Sequence, residues 1–135
     1  MRCMVDTNVL VSAALFPKGT CAAAYMRAVL PPFQPLVCTY ILEELRRVFF
    51  EKFPARTEAY LRFAEALTLS VEVCETPTAP TAEESCLGDV ADRPILRAAL
   101  LAGAEFLLTG DKGFAAAGLQ KPRVVSAAAF LALRV

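Results

Sequence analysis

The chain has 135 residues, 56% of them apolar and 21% charged, which is enough for one hydrophobic core and too little for two. Fourteen basic residues against fourteen acidic ones leave no formal net charge, which argues against a protein that holds nucleic acid by bulk electrostatics alone. There is no histidine, so His-based acid–base chemistry, Ser-His-Asp and Cys-His nucleophile systems and imidazole metal sites are excluded.

In chain order, residues 1–5 (MRCMV) read as a short buried strand ending at Asp6, and residues 7–16 as a helix stopped by Pro17-Lys18-Gly19. Residues 20–30 predict a second helix, closed by Pro31-Pro32, and residues 35–38 a second strand. Residues 40–53 and 55–69 are strongly helical, with a strand at 71–74 between them and the polar, proline-bearing stretch 75–91, which reads as a surface loop. A helix follows at 95–103 with Gly103 at its C-terminal end, then a strand at 106–108, a short helix at 111–118, a strand at 123–125 and a closing helix at 126–133. Short apolar strands alternating with helices predict an α/β fold around a mainly parallel sheet, as a single domain spanning residues 1–135.

Five cysteines (Cys3, Cys21, Cys38, Cys74, Cys86) form an odd set with no C-x-x-C spacing, which predicts free thiols in a reducing cytoplasm. Asp6 interrupts the apolar N-terminus that would otherwise mimic a signal peptide, and no apolar run approaches a membrane span, so no membrane association is expected.

In a parallel sheet the ligand site lies beyond the carboxyl ends of the strands, so the residues that follow the strands matter most. Asp6 ends the first strand, Asp111 follows the fourth by three residues, and Asp92 precedes the helix at 95–103. Asp92 and Asp111 each have a plainer reading as helix N-caps. Asp6 resists it, because a lone carboxylate between apolar runs is costly to bury. On the helix at 40–53, Ile41, Leu42, Leu45, Val48 and Phe49 define an apolar face; Glu43 falls about 160° from its centre and Glu44 about 100°. Glu44 is either a boundary acid leaning over the sheet edge or a solvated flank charge, and both readings stand. Carboxylates about 5 Å apart repel by roughly 3 kcal/mol per pair at an effective dielectric near 20, so a cluster needs protons or a cation. All-oxygen donors select Mg²⁺ or Mn²⁺, ions that serve phosphoester hydrolysis.

Four segments together resemble the motifs of PIN-domain ribonucleases, VapC-like toxin components of toxin–antitoxin pairs above all. They are Val5-Asp6-Thr7-Asn8-Val9-Leu10, Ile41-Leu42-Glu43-Glu44-Leu45-Arg46, Asp92-Arg93-Pro94-Ile95-Leu96-Arg97-Ala98-Ala99 and Leu107-Leu108-Thr109-Gly110-Asp111-Lys112-Gly113-Phe114. The resemblance implies a PIN-like three-layer α/β/α fold and an endoribonuclease that uses Mg²⁺ or Mn²⁺ on single-stranded or looped RNA. It implies Asp6, Glu44, Asp92 and Asp111 as the acidic, metal-holding quartet, with Asn8 and Thr109 as hydrogen-bonding supports. It also implies a homodimer and a cognate antitoxin protein. The family's third motif often carries a run of aspartates, whereas Asp89-Val90-Ala91-Asp92 has two; Asp89 is a cap or auxiliary acid, and Glu43 is the fallback for Glu44.

Lys112 and Arg93 adjoin the acids and are candidate phosphate binders. Arg46, Arg47, Lys52, Arg56 and Arg62 interleave with glutamates and read as a solvated helix surface. Phe50 lies off the apolar face and is either a dimer or antitoxin contact or, with adjustment of the helix, part of the core; both readings stand. The alternatives are a catalytically silent PIN-like module that binds RNA or protein, and a haloacid-dehalogenase-like phosphatase or receiver domain. The dehalogenase type expects Asp-x-Asp after the first strand, where this chain has Asn8.

Overall fold

The computed structural model describes all 135 residues. Five strands, β1 (Arg2–Val5), β2 (Gln34–Cys38), β3 (Glu72–Cys74), β4 (Phe106–Leu108) and β5 (Arg123–Val125), form one sheet in the order β3-β2-β1-β4-β5. Every neighbouring pair is parallel, so the sheet is wholly rather than mainly parallel. Cys3, Met4 and Val5 of β1, Leu36 to Cys38 of β2, and Leu107 and Leu108 of β4 are essentially inaccessible to solvent. Strands covered on both faces read as continuous apolar runs, which is why these short segments were legible.

Six helices connect the strands, α1 (Thr7–Leu15), α2 (Thr20–Ala28), α3 (Thr39–Lys52), α4 (Thr57–Ser70), α5 (Arg93–Leu101) and α6 (Lys112–Ala116), and α7 (Ala127–Ala132) follows β5. From β1 the chain winds outward through β2 and β3, then returns to β1's other side for β4 and β5. With right-handed crossovers, this reversal puts helices on both faces and opens a crevice at the carboxyl ends of β1 and β4. Asp6 leaves β1 at that crevice, and Thr109-Gly110-Asp111 leave β4 beside it; the Asp6 N–H donates to the Leu108 carbonyl at 2.9 Å.

Several boundaries differ from expectation, each for a local reason. Helix α5 begins at Arg93, because Pro94 fits the first turn, where no N–H is needed; the helix ends at Leu101, before Gly103 at φ +67°. Residues 54–56 form a separate 3₁₀ turn ahead of α4. Asp111 and Ser126 are N-caps rather than first residues of α6 and α7. The stretch 75–91 is more ordered than a plain surface loop. It carries 3₁₀ turns at Glu83–Cys86 and, at its end, Val90–Asp92, buries Leu87 and Glu84, and is fastened by Arg97 of α5. Arg97 grips both Glu84 oxygens (2.9 and 2.8 Å) and donates to the Pro77 carbonyl at 2.9 Å.

Arg97 holds the Glu84 carboxyl down to about 2. The stability this gives is full above the ordinary carboxylate range and is lost as pH falls towards 2. Arg97→Ala should therefore lower the midpoint of thermal unfolding at pH 7 and speed proteolytic nicking between residues 75 and 91. An unchanged melt and digestion pattern would show that the loop is held by other contacts.

All five cysteines are free, and burial pushes the Cys3 thiol up to about 12, as suits a small apolar filler. No single helix is long and apolar enough to cross a membrane.

Candidate functional site

The four acids singled out in the sequence lie at one place in the fold. Asp6, Glu44, Asp92 and Asp111 all line one cavity of about 470 Å³ at the carboxyl edge of the sheet, together with Thr7 and Asn8. Asp6 is the most deeply set, only 5% exposed. Its carboxylate is held from two sides: Oδ1 accepts the Thr7 N–H at 2.7 Å, and Oδ2 accepts the Thr109 hydroxyl at 2.6 Å. Burial pushes this carboxyl up to about 6, with the charges of Glu44 and Asp111 adding to the rise and the two hydrogen bonds opposing it.

Two threonines carry the network outward. The Thr7 hydroxyl donates to Glu44 Oε1, which fixes the α3 acid against the start of α1. The Thr109 oxygen accepts the Asp111 N–H at 3.0 Å while its proton goes to Asp6. Glu44, Asp6 and Asp111 are thus joined through Thr7 and Thr109 into one chain of hydrogen bonds. Glu44 is half-buried, and its other oxygen stands 4.0 Å from Arg47. Glu43 points into solvent in an ion pair with Arg46, so the two adjacent glutamates divide as their helical angles predict. Asn8 Oδ1 faces the Gly110 N–H at 3.4 Å, a long contact that links the loops after β1 and β4.

Asp111 and Asp92 meet at Gly113. Asp111 Oδ1 caps α6 by accepting the Gly113 N–H at 2.6 Å. A Cβ on Gly113 would lie 2.9 Å from that oxygen and 3.8 Å from Asp92 Oδ2. A side chain there would push the Asp111 carboxylate from its capping position, a role for Gly113 that the sequence pattern did not reveal. Asp92 itself caps nothing. Its carboxyl is pushed up to about 6, first by burial and then by the charges of Asp111, Asp89, Asp6 and Glu44. Asp111 caps α6 with its side chain, whereas Asp92 holds the N-cap position of α5 without a side-chain hydrogen bond. No three of the acids close into a ready-made coordination shell.

Other residues fall differently from expectation. Asp89 lies outside the cavity lining and caps the turn before α5, its Oδ1 accepting the Ala91 N–H at 2.9 Å. Arg93 directs Nε and an Nη to the Leu87 carbonyl at 3.1 and 3.0 Å, which ties its guanidinium to the loop rather than to the cavity. Lys112 is exposed and also absent from the lining. The lysine in the lining is Lys52, at the end of α3, grouped by sequence with the solvated helix charges. Arg46 and Arg62 do pair with Glu43 and Glu58 on the surface. The rest of the cavity wall is apolar apart from Ser12: Val11, Leu15 and Phe16 from the α1 side, Val48 and Phe53 from the α3 side. Phe50 is 77% exposed, as its helical angle requires.

The PIN domain family model matches residues 2–113, which include all four acids. Among solved structures, a crystal structure of VapBC2 from Rickettsia felis bound to a DNA fragment from its promoter aligns with a TM-score of 0.72 at 15% identity. That alignment covers 93% of this chain and 98% of the other. A domain of a functionally unknown protein from Methanocaldococcus jannaschii aligns with a TM-score of 0.55 at 18% identity, covering 93% of this chain and 89% of the other. No curated protein matches the chain. At these identities the solved structures speak for the fold, and the family model, spanning most of the sequence and the whole acidic cavity, shows that the chain belongs to the PIN-domain family.

Proposed function

We propose that the chain is a metal-dependent endoribonuclease that cleaves single-stranded or looped RNA, and that it is the toxin of a toxin–antitoxin pair. The observation that carries the reading is the convergence of four carboxylates on one cavity, two of them with affinities for protons raised to about 6. Such a set is unstable with all members ionised and nothing to balance them.

The donor set fits a hard divalent ion. The four acids offer only oxygen donors, and histidine is absent from the chain. Mg²⁺ keeps several of its waters and is commonly held by one or two carboxylates, so it does not require a closed three-acid shell. Asp6, Glu44, Asp92 and Asp111 would hold Mg²⁺ or Mn²⁺. When bound, the ion supplies charge neutralisation at the phosphodiester and activation of water.

The chain's own residues do the positioning. Thr7 and Thr109 orient the Asp6 and Glu44 carboxylates, Thr109 also accepts the Asp111 N–H, and Asn8 links the loops that carry Asp6 and Asp111. Lys52 provides the cation in the lining, suited to the substrate's phosphate backbone. The wall formed by Val11, Leu15, Phe16, Val48 and Phe53 offers an apolar surface to an unpaired base, which duplex RNA would withhold. The Rickettsia felis neighbour is a VapBC complex, which supports assigning an antitoxin protein as partner. A homodimer acting in the cytoplasm completes the reading.

The test is incubation of the purified protein with single-stranded RNA, with Mn²⁺ or Mg²⁺ and with EDTA. Cleavage should require the ion. Cleavage that persists in EDTA would overturn the mechanism, and no cleavage together with no Mn²⁺ binding by calorimetry would leave a silent module. Metal binding should also depend on pH with a defined sign. Asp6 and Asp92 must lose protons that they hold until about pH 6, so Mn²⁺ affinity should rise between pH 5 and 7.5. The expected gain is about tenfold for each group that deprotonates. A flat calorimetric affinity over that range would remove these two carboxyls from the binding site.

A further inference from the structure

Thr7 and Thr109 hold the carboxylates of Asp6 and Glu44 and the backbone N–H of Asp111, and the Asp111 carboxylate is held by the Gly113 N–H, whereas the Asp92 side chain makes no capping hydrogen bond. Its place depends on the backbone of the Val90–Asp92 turn. That turn has an internal stay, with the Asp92 N–H donating to the Asp89 carbonyl at 3.1 Å and the Ala91 N–H to Asp89 Oδ1. One side chain ties it to the opposite wall of the cavity. The Tyr40 hydroxyl donates to the Ala91 carbonyl at 2.8 Å. Tyr40 stands one helical turn before Glu44 on α3, so this hydrogen bond spans from the helix that carries one acid to the peptide next to another.

We infer that Tyr40 is the positioning residue that sets Asp92 against Glu44 in the cavity, an inference that rests on the metal-dependent reading above. Its hydroxyl hydrogen-bonds to the Ala91 carbonyl, and it acts by joining α3 to the turn across 51 residues of chain. Loss of the hydroxyl leaves Asp92 present but its turn attached only by local bonds. The cost should fall on metal affinity rather than on the rate at saturating metal. Outer partners of metal ligands commonly contribute 10- to 100-fold, and a solvent-facing bond belongs near the lower bound.

Tyr40→Phe keeps the ring on α3 and removes only the hydroxyl. Amide exchange in the metal-free variant should quicken about tenfold at Ala91 and Asp92 and stay unchanged along α3. Mn²⁺ affinity by calorimetry should fall about tenfold, and that loss should vanish when Asp92→Asn is already present. Unchanged exchange in the turn would overturn the inference, and so would an equal loss of Mn²⁺ affinity in the Asp92→Asn background. Should the unaltered protein bind no Mn²⁺, the metal reading falls on its own, while the exchange data still decide whether Tyr40 holds the turn.

Discussion

Asp6→Asn should reduce metal-dependent RNA cleavage by at least about 100-fold, beyond what the loss of an outer partner causes, while making the metal-free protein harder to unfold. Both effects come from one buried charge. Asp6 is 5% exposed, and its carboxyl titrates near 6 instead of its ordinary 3.8. Because the folded form holds the proton more tightly, this group's contribution to stability is fully present below pH 4. It is lost as pH rises through about 6. The loss at neutral pH amounts to about 3 kcal/mol for a shift of this size. Asparagine keeps the shape and the acceptor for the Thr7 N–H without the charge, so the variant should recover part of that sum at pH 7.5. Excess Mn²⁺ should reverse the advantage, since at a hundredfold over Kd it stabilises the unaltered protein by about 2.7 kcal/mol. Thermal melts with and without Mn²⁺ at pH 7.5, beside cleavage assays, check both halves. An Asp6→Asn protein that cleaves normally, or melts lower without metal, would contradict the assignment.

The parts legible in the sequence are those that depend on short-range pattern. Strand β4 falls where its apolar run places it, since three buried residues between polar breaks have little alternative in a parallel sheet, and β5 falls at the expected residues although only Val125 of it is buried. Asp6 and Asp111 were visible because topology assigns function to the residues after strands, and Glu44 because helical angle separates it from Glu43. What escaped depends on contacts distant in the chain. Thr7 meets Glu44 37 residues away and Tyr40 meets Ala91 51 away, while Thr109, which meets Asp6 103 away, was named only through the family resemblance. No local pattern marks a hydroxyl for such a partner. Lys52 and Arg93 show the same limit. Adjacency to an acid suggested Arg93 as the phosphate ligand, yet the loop claims its guanidinium, and Lys52, eight positions after Glu44, turns into the cavity.

Thr109→Val should lower Mn²⁺ affinity by about 10- to 100-fold and cost about 1–3 kcal/mol of stability, the opposite sign to Asp6→Asn. The Thr109 hydroxyl is 3% exposed and serves two groups at once, donating to Asp6 Oδ2 and accepting from the Asp111 N–H. Valine keeps the volume and leaves both unpartnered by protein, one of them a buried carboxylate. That hydrogen bond is among the influences holding the Asp6 carboxyl down, so its removal drives the carboxyl further above 6. The acid limb of metal binding and cleavage should consequently move to higher pH, a shift that a mere loosening of the fold would not produce. Thr109→Ser, which keeps the hydroxyl, should restore the limb even where it does not restore full stability. In the Asp6→Asn background the valine should cost less, because the charge that needed the donor is already gone. A valine variant with an unshifted acid limb would show that Thr109 supports the fold without tuning Asp6.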